Sequence, residues 1–231
     1  MDDQQLYSLN YFNRVGKVEL CRLIFAAADI PYDDNFIEKI TDKDVQIGYM
    51  PYLNIAQKTI IPCISVICRH LARELELDGK STSIDKAMCD AIAQNCMLLI
   101  DAFYRNVNDV EDADSKKCGL KNYFDNDVEN TASIVEKLIE QYCKKDQFVK
   151  GQVICNGHCV GGALTYADLF VYEMVSKYFP CDSDTLPSKY PNLYKVKAHI
   201  ESLPTISKFR KENKHQREPL SRDVINDISK E

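Results

Sequence analysis

The sequence predicts an α/β domain followed by an all-helical one. Three observations carry that expectation. Over the first ~80 residues the apolar pattern switches between period two and helical spacing. Beyond a polar stretch at 78–83 (DGKSTS) the long segments read as helical only. A chain of 231 residues with 45% hydrophobic side chains can also bury the cores of two ordinary domains.

At the N-terminus, Leu6, Ser8, Asn10 and Phe12 interleave with Tyr7, Leu9 and Tyr11 in a β-rich run, followed by a loop from Asn13 to Lys17. Between 18 and 28, Cys21, Ile24, Phe25 and Ala28 recur at helical spacing, and Pro31 opens a second β-like stretch that runs to Ile37. Strand, helix, strand predicts a βαβ unit with parallel strands. Tyr52–Ala56 and Thr59–Ile61 follow, joined at Gln57-Lys58. So short a connection forces antiparallel pairing, although Gln-Lys is a poor dipeptide for a primed turn. Pro62 precedes a helical pattern from Ile64 to Leu77 and suits a helix start. The order βαβ then ββα is thioredoxin-like. The predicted fold class is therefore α/β plus all-α, with a thioredoxin-like domain over 1–78, a linker at 79–83, a helical-bundle domain over 84–220 and a flexible tail at 221–231.

In the second domain, Met88, Ile92, Cys96, Leu99 and Phe103 form one apolar stripe, and Val128, Ala132, Val135, Ile139 and Tyr142 form another. The acidic stretch between them, 106–115 (NVNDVEDADS), reads as a solvated loop, because it lacks the Gly and terminal Glu of a calcium-binding EF-hand. In Leu164-Thr165-Tyr166-Ala167-Asp168-Leu169, Thr165 and Asp168 have the spacing of a capping box, and Leu164 and Leu169 that of a hydrophobic staple. That pattern is a helix start needed for folding, so these residues are not read as catalytic.

Composition excludes several classes of function. A net charge of −6 disfavours nucleic acid or an anionic membrane as partner. No run approaches the ~18 apolar residues of a membrane span, and Met1-Asp2-Asp3-Gln4-Gln5 lacks the basic flank of a secretory signal. Ten cysteines without an export signal, several of them in helical stripes, read as reduced apolar fillers of a cytoplasmic protein. Cys155-Asn156-Gly157-His158-Cys159 has metal-ligand residue types but no standard zinc spacing and no second Cys/His pair nearby, so no metal is expected. His70 and His199 fall in helical segments and read as surface residues.

Three segments resemble the sigma class of cytosolic glutathione transferases, which includes the prostaglandin D synthases of blood-cell type and the S-crystallins. They are LYSLNYFNRVGKVELCRLIFAAADIPYDD at 6–34, MPYLNIAQKTIIPCISVICRHLARE at 50–74, and LTYADLF with the later KYPNLYKVKAHIESLPTISKF. The resemblance spans nearly the whole chain and is most specific in Asn-Tyr-Phe-Asn followed by Gly-Lys-Val-Glu. It implies glutathione as co-substrate, a small hydrophobic electrophile as second substrate, and a homodimer. It places Tyr11 at the position of the catalytic tyrosine, which donates a hydrogen bond to the glutathione sulfur and stabilises the thiolate. Met50-Pro51 matches the family's cis-proline dipeptide, whose backbone pairs with the cysteinyl part of glutathione. Lys17 stands at the position of an arginine in the tyrosine loop, keeping the charge without the bidentate fork.

The glutathione site also departs from the pattern. Where the family places Gln-Ser to hold the γ-glutamyl carboxylate, this chain has Cys63 and Ile64. Ile64 cannot donate a hydrogen bond and a thiol is a weak donor. The 37–51 connection is shorter than the family's and lacks its tryptophan and lysine; Gln94 stands where a partner subunit offers an aspartate. Losing two hydrogen bonds to charged ligand groups costs about 3–6 kcal/mol. Three readings follow. The first is a glutathione transferase with weakened binding that conjugates or isomerises hydrophobic electrophiles. The second is a non-catalytic binding or structural protein on the same fold. The third is thiol chemistry at Cys63, at a helix N-terminus of the kind that lowers a thiol pKa.

Overall fold

The structure is a computed structural model that describes residues 6–12, 16–39, 48, 50–79, 82–149, 151–181 and 184–212. Residues 13–15 of the expected loop, 80–81 of the expected linker, and all of 213–231, including the expected tail, lie outside the described residues. The element order is β1 (Tyr7–Phe12), α1 (Glu19–Ala28), β2 (Asp33–Ile37), β3 (Tyr52–Ile55), β4 (Thr59–Pro62), α2 (Ile64–Glu74), α3 (Ser83–Phe103), α4 (Ala113–Asn122), α5 (Glu129–Tyr142), β5 (Lys145–Val149), β6 (Gln152–Cys155), α6 (Tyr166–Lys177), α7 (Leu186–Lys189), α8 (Pro191–Ser202) and α9 (Pro204–Glu212). Two π-helical turns, Tyr104–Asn108 and Tyr123–Val128, flank α4. The chain divides into two compact units. One holds the described residues through Leu77 together with α9, and the other holds 78–202.

The first unit is a four-stranded mixed sheet in the order β2-β1-β3-β4. β1 and β2 are parallel across the α1 crossover, β3 and β4 are antiparallel across a short turn, and β1 and β3 are antiparallel. Tyr7 and Leu9 are buried from β1, and the Tyr7 ring lies 5.4 Å from that of Phe25 on α1. The β3–β4 turn differs in detail from expectation. The left-handed residues are Ala56 and Gln57, at φ 49° and 57°, closed by Lys58 N–H donating to the Ile55 carbonyl at 3.0 Å. α2 ends at Glu74, short of the expected Leu77. Glu76 turns left-handed at φ 56°, and its N–H and that of Leu77 donate back to the Arg73 and Ala72 carbonyls, the double bond of a Schellman cap.

A buried ion cluster ties α1 to β2. Arg22 is 2% exposed; its Nε and second terminal nitrogen donate to the two Asp34 oxygens at 2.8 and 3.2 Å, and its other terminal nitrogen pairs with Glu19. The guanidinium also lies 5.7 Å from the Phe36 ring. Burial alone would depress the Arg22 pKa, but the two carboxylates outweigh it and the net shift is upward.

The second unit centres on α6, which is buried along nearly its whole length and packs on α3 and α8. Asp168 is fully buried and saturated: Oδ2 accepts from Thr165 N–H at 2.7 Å and from the Thr165 hydroxyl at 3.1 Å, and Oδ1 accepts from Cys159 N–H at 2.5 Å. Glu136 on α5 plays the same part for α8, accepting from Asn192 N–H, Asn192 Nδ2 and Leu193 N–H at 2.8–3.0 Å. The acidic 106–115 stretch is not a loop throughout. A π-helical turn runs to Asn108 and α4 begins at Ala113, because the Asp112 carboxylate accepts Ser115 N–H at 2.8 Å and caps a helix there. The β5–β6 hairpin is a further difference from an expectation of helices alone.

Removing the charge of Arg22 tests the ion cluster. An Arg22→Leu variant takes the guanidinium away from the buried Glu19 and from Asp34, and it should lose about 3–5 kcal/mol in urea unfolding. A loss below about 1 kcal/mol would mean that the cluster behaves like a surface pair.

Candidate functional site

The sheet register gathers the expected site residues of the first unit at one end. Asn10 faces Tyr52 across β1/β3, and Tyr52 faces Pro62 across β3/β4. Both ladders end there, and Tyr11, Pro51 and Cys63 are the next residues along the three strands. Tyr11 is half-buried near the end of β1, with its ring 5.5 Å from that of Phe12. The Met50–Pro51 peptide bond is cis and leads directly into β3. Lys17 lies half-buried in the turn ahead of α1, and its carbonyl accepts Leu20 N–H at 3.2 Å.

Cys63 is the N-cap of α2, and its thiol makes no side-chain capping bond. Its backbone sits at φ 71°, ψ 121°, a conformation that costs a non-glycine residue about 1–3 kcal/mol. Its carbonyl accepts Val66 and Ile67 N–H at 3.1 and 3.0 Å. The amides of Ile64 and Ser65, at the start of the helix, precede any intrahelical acceptor. A helix N-terminus with open amides suits an anion, and it meets this end of the sheet at Cys63. Deeper in the unit, Cys21 and Cys68 sulfurs lie 3.5 Å apart and fully buried, and burial pushes the Cys68 thiol well above its ordinary range. Such thiols are inert fillers.

Sequence reasoning passed over Gly16, whose Cα lies against the Tyr11 ring; a Cβ built there would fall 3.1 Å from the Tyr11 hydroxyl. No pattern in one sequence marks such an approach, although a glycine between a candidate tyrosine and a helix start is a hint. A cavity of about 320 Å³ opens elsewhere in the same unit, between α1 and α9, and none of the six expected site residues lines it.

In the second unit the Cys155–Cys159 segment forms a turn against α6 and α8. His158 Nδ1 lies 3.4 Å from Asp168 Oδ2, and the His158 and His199 rings meet edge to face at 4.6 Å. His199 is half-buried against His158, and Gly157 leaves it room: a Cβ there would come within 2.8 Å of its ring. Among the described residues, no group of three or more His, Cys, Asp or Glu is arranged to hold a metal ion, and no helix is long and apolar enough to cross a membrane.

Comparison with known proteins points to one family. Residues 99–213 match the model of the glutathione S-transferase C-terminal domain. The chain is 26% identical to S-crystallin 4 of Enteroctopus dofleini over 88% of its own length and 94% of the relative's. It is 29% identical to the hematopoietic prostaglandin D synthase of Gallus gallus, over 87% and 93% of the two chains. This chain is a glutathione-transferase-fold protein, related to the S-crystallins and the prostaglandin D synthases. A solved structure described as rat hPGDS complexed with a quinoline superposes with a TM-score of 0.68 at 20% identity, covering 94% of this chain and 98% of that one. In this glutathione-transferase fold the sheet end where Tyr11, Pro51 and Cys63 align is the candidate glutathione site.

The histidine pair of the second unit makes stability depend on pH. Burial, and after it the neighbouring His158, hold the His199 imidazole below its ordinary value of 6.5, against the opposing pull of Asp168. On acidification the unfolded chain therefore binds this proton first, and stability falls as pH drops through and below that value. Between about pH 7 and about pH 5, the urea midpoint should decline more steeply in the wild type than in His199→Gln. Parallel declines would refute the linkage.

Proposed function

We propose that the chain is a sigma-like glutathione transferase, an enzyme that activates glutathione through Tyr11 and conjugates it to small hydrophobic electrophiles or uses it to isomerise a lipid peroxide. The alignment of Tyr11, Pro51 and Cys63 at one sheet end supports this reading above all. Free glutathione has a thiol pKa of ~8.5 and is mostly protonated at neutral pH. The Tyr11 hydroxyl donates to its sulfur and favours the thiolate. A hydrogen bond to a charged group is worth about 1.5–3 kcal/mol, enough to lower that pKa by roughly one to two units. The backbone N–H and C=O of Met50 pair with the cysteinyl part as a strand would. The Ile64 and Ser65 amides at the α2 N-terminus receive the γ-glutamyl carboxylate. The thiolate then attacks the electrophilic carbon, forming the carbon–sulfur bond, and the displaced group leaves with the electron pair. No metal takes part in this scheme.

The glutathione anchor is weaker than the fold usually carries, because Cys63 and Ile64 offer no strong donor. That observation favours a second reading, a non-catalytic protein that keeps the fold for structure or binding, as the S-crystallin relatives suggest. Both readings place the protein in the cytoplasm, supported by ten free cysteines. Both also make it a homodimer. Each unit carries exposed apolar side chains, Ile60 and Val66 on the first and Ile84, Leu98 and Ile134 on the second.

Calorimetric titration separates the two. The enzyme reading expects saturable glutathione binding at micromolar to low millimolar affinity, and a drop of roughly ten- to hundredfold in kcat/KM for Tyr11→Phe. An absence of heat up to ~10 mM glutathione would remove the conjugating enzyme and leave the structural protein. A gain-of-function variant tests the anchor directly. Cys63→Gln combined with Ile64→Ser should tighten glutathione binding by about tenfold or more. Unchanged affinity would show that the carboxylate is not held at this helix end.

A further inference from the structure

We infer that Gly16 is a positioning residue for the Tyr11 hydroxyl, holding it at the distance that thiolate stabilisation requires; this rests on the role proposed for Tyr11. An ideal Cβ at Gly16 would lie 3.1 Å from Tyr11 Oη, 3.2 Å from Cε1 and 3.5 Å from Cζ. Those first two contacts are tighter than ordinary van der Waals separation, so any L side chain pushes the phenol away by a few tenths of an ångström. Backbone conformation does not call for glycine here, since Gly16 lies outside the left-handed region. Space does.

Neither backbone is free to give way. Gly16 is buried, and its carbonyl accepts Glu19 N–H at 3.1 Å where α1 begins. Glu19 is fixed in turn by Arg22 in the buried ion cluster. On the other side, Tyr11 is held in parallel register opposite Phe36, with its ring against Phe12. Displacement therefore falls on the hydroxyl end of the phenol, the end that meets the sulfur. A hydrogen bond to a charged atom is steep in distance and angle, so a small displacement weakens activation and leaves the glutathione-holding contacts of Met50 and α2 untouched.

The test compares wild type, Gly16→Ala, Tyr11→Phe and the double variant. The thiol pKa of bound glutathione is read from the ultraviolet absorbance of its thiolate, alongside kcat/KM, glutathione Kd and urea stability. Gly16→Ala should stay folded, because alanine suits its backbone. Its glutathione Kd should stay within about twofold. Its thiol pKa should rise part of the way towards that of Tyr11→Phe, and kcat/KM should fall roughly three- to tenfold. In the Tyr11→Phe background the added methyl should change neither quantity. An unaltered pKa in Gly16→Ala, with a clear rise in Tyr11→Phe, would overturn the positioning role alone. An equal effect of the methyl in both backgrounds would also overturn it, as a general disturbance of the loop. No change in Tyr11→Phe itself would overturn the Tyr11 reading and this inference with it.

Discussion

The register between β1, β3 and β4 is the constraint on which the candidate site depends. Pairing of Asn10 with Tyr52, and of Tyr52 with Pro62, decides which residues come next at the sheet end. A slip of one residue would turn Tyr7 and Leu9 out of the core and shift Tyr11 relative to Pro51. Burial of Leu9 and Leu53, both fully inaccessible, forbids that slip. The hydrophobic pattern of two short strands thus fixes the location of a polar site without any of the site residues contributing to the choice.

Three buried charged groups are handled in one manner: Arg22, Asp168 and Glu136 each bond to a neighbouring segment. Arg22 joins α1 to β2, Asp168 joins the α6 start to the preceding turn, and Glu136 joins α5 to the start of α8. Such groups add little net stability over an apolar core, yet removing one partner strands the other in a low-dielectric interior. They therefore act as alignment pins. For Arg22 the pin is adjacent to function, because Glu19 is bonded both to Arg22 and, through its amide, to Gly16.

Much of this was legible in the sequence. Alternation in β1, helical spacing in α1 and α3, and the Thr165–Asp168 capping pattern are local signals, and each lies close to where the structure has it. The misses are non-local or chemically unmarked. α2 stops short of left-handed Glu76, where glycine would have announced the stop. The β5–β6 hairpin sits in a stretch whose Val149, Val153 and Ile154 fit either period. α4 starts inside an acidic run that charge alone reads as solvated, because one aspartate turned inward onto an amide is indistinguishable in sequence from one facing water. Tyr11, Met50, Pro51 and Cys63 could be singled out only through resemblance, since nothing in composition separates Tyr11 from the other tyrosines. Gly16 was invisible because a close approach is a property of two segments together.

Activation and anchoring are carried by different elements in the proposed site, and this separation bears on what kind of protein the chain is. Activation depends on β1 and the turn into α1; anchoring depends on the N-terminus of α2. On the proposed reading, having Cys63 and Ile64 in place of Gln-Ser weakens the second by about 3–6 kcal/mol without displacing the first. Open amides of the helix start, and the backbone of Met50, set a lower limit to that loss. Where glutathione is abundant, affinity can fall by orders of magnitude before occupancy is lost, and under the role proposed for Tyr11 the bound thiol would still be shifted towards thiolate. Loss of the Gln-Ser pair therefore does not by itself carry the chain from enzyme to structural protein. On that reading the transition requires loss of the Tyr11 geometry as well, whose close neighbour is Gly16, where a Cβ would fall 3.1 Å from the Tyr11 hydroxyl.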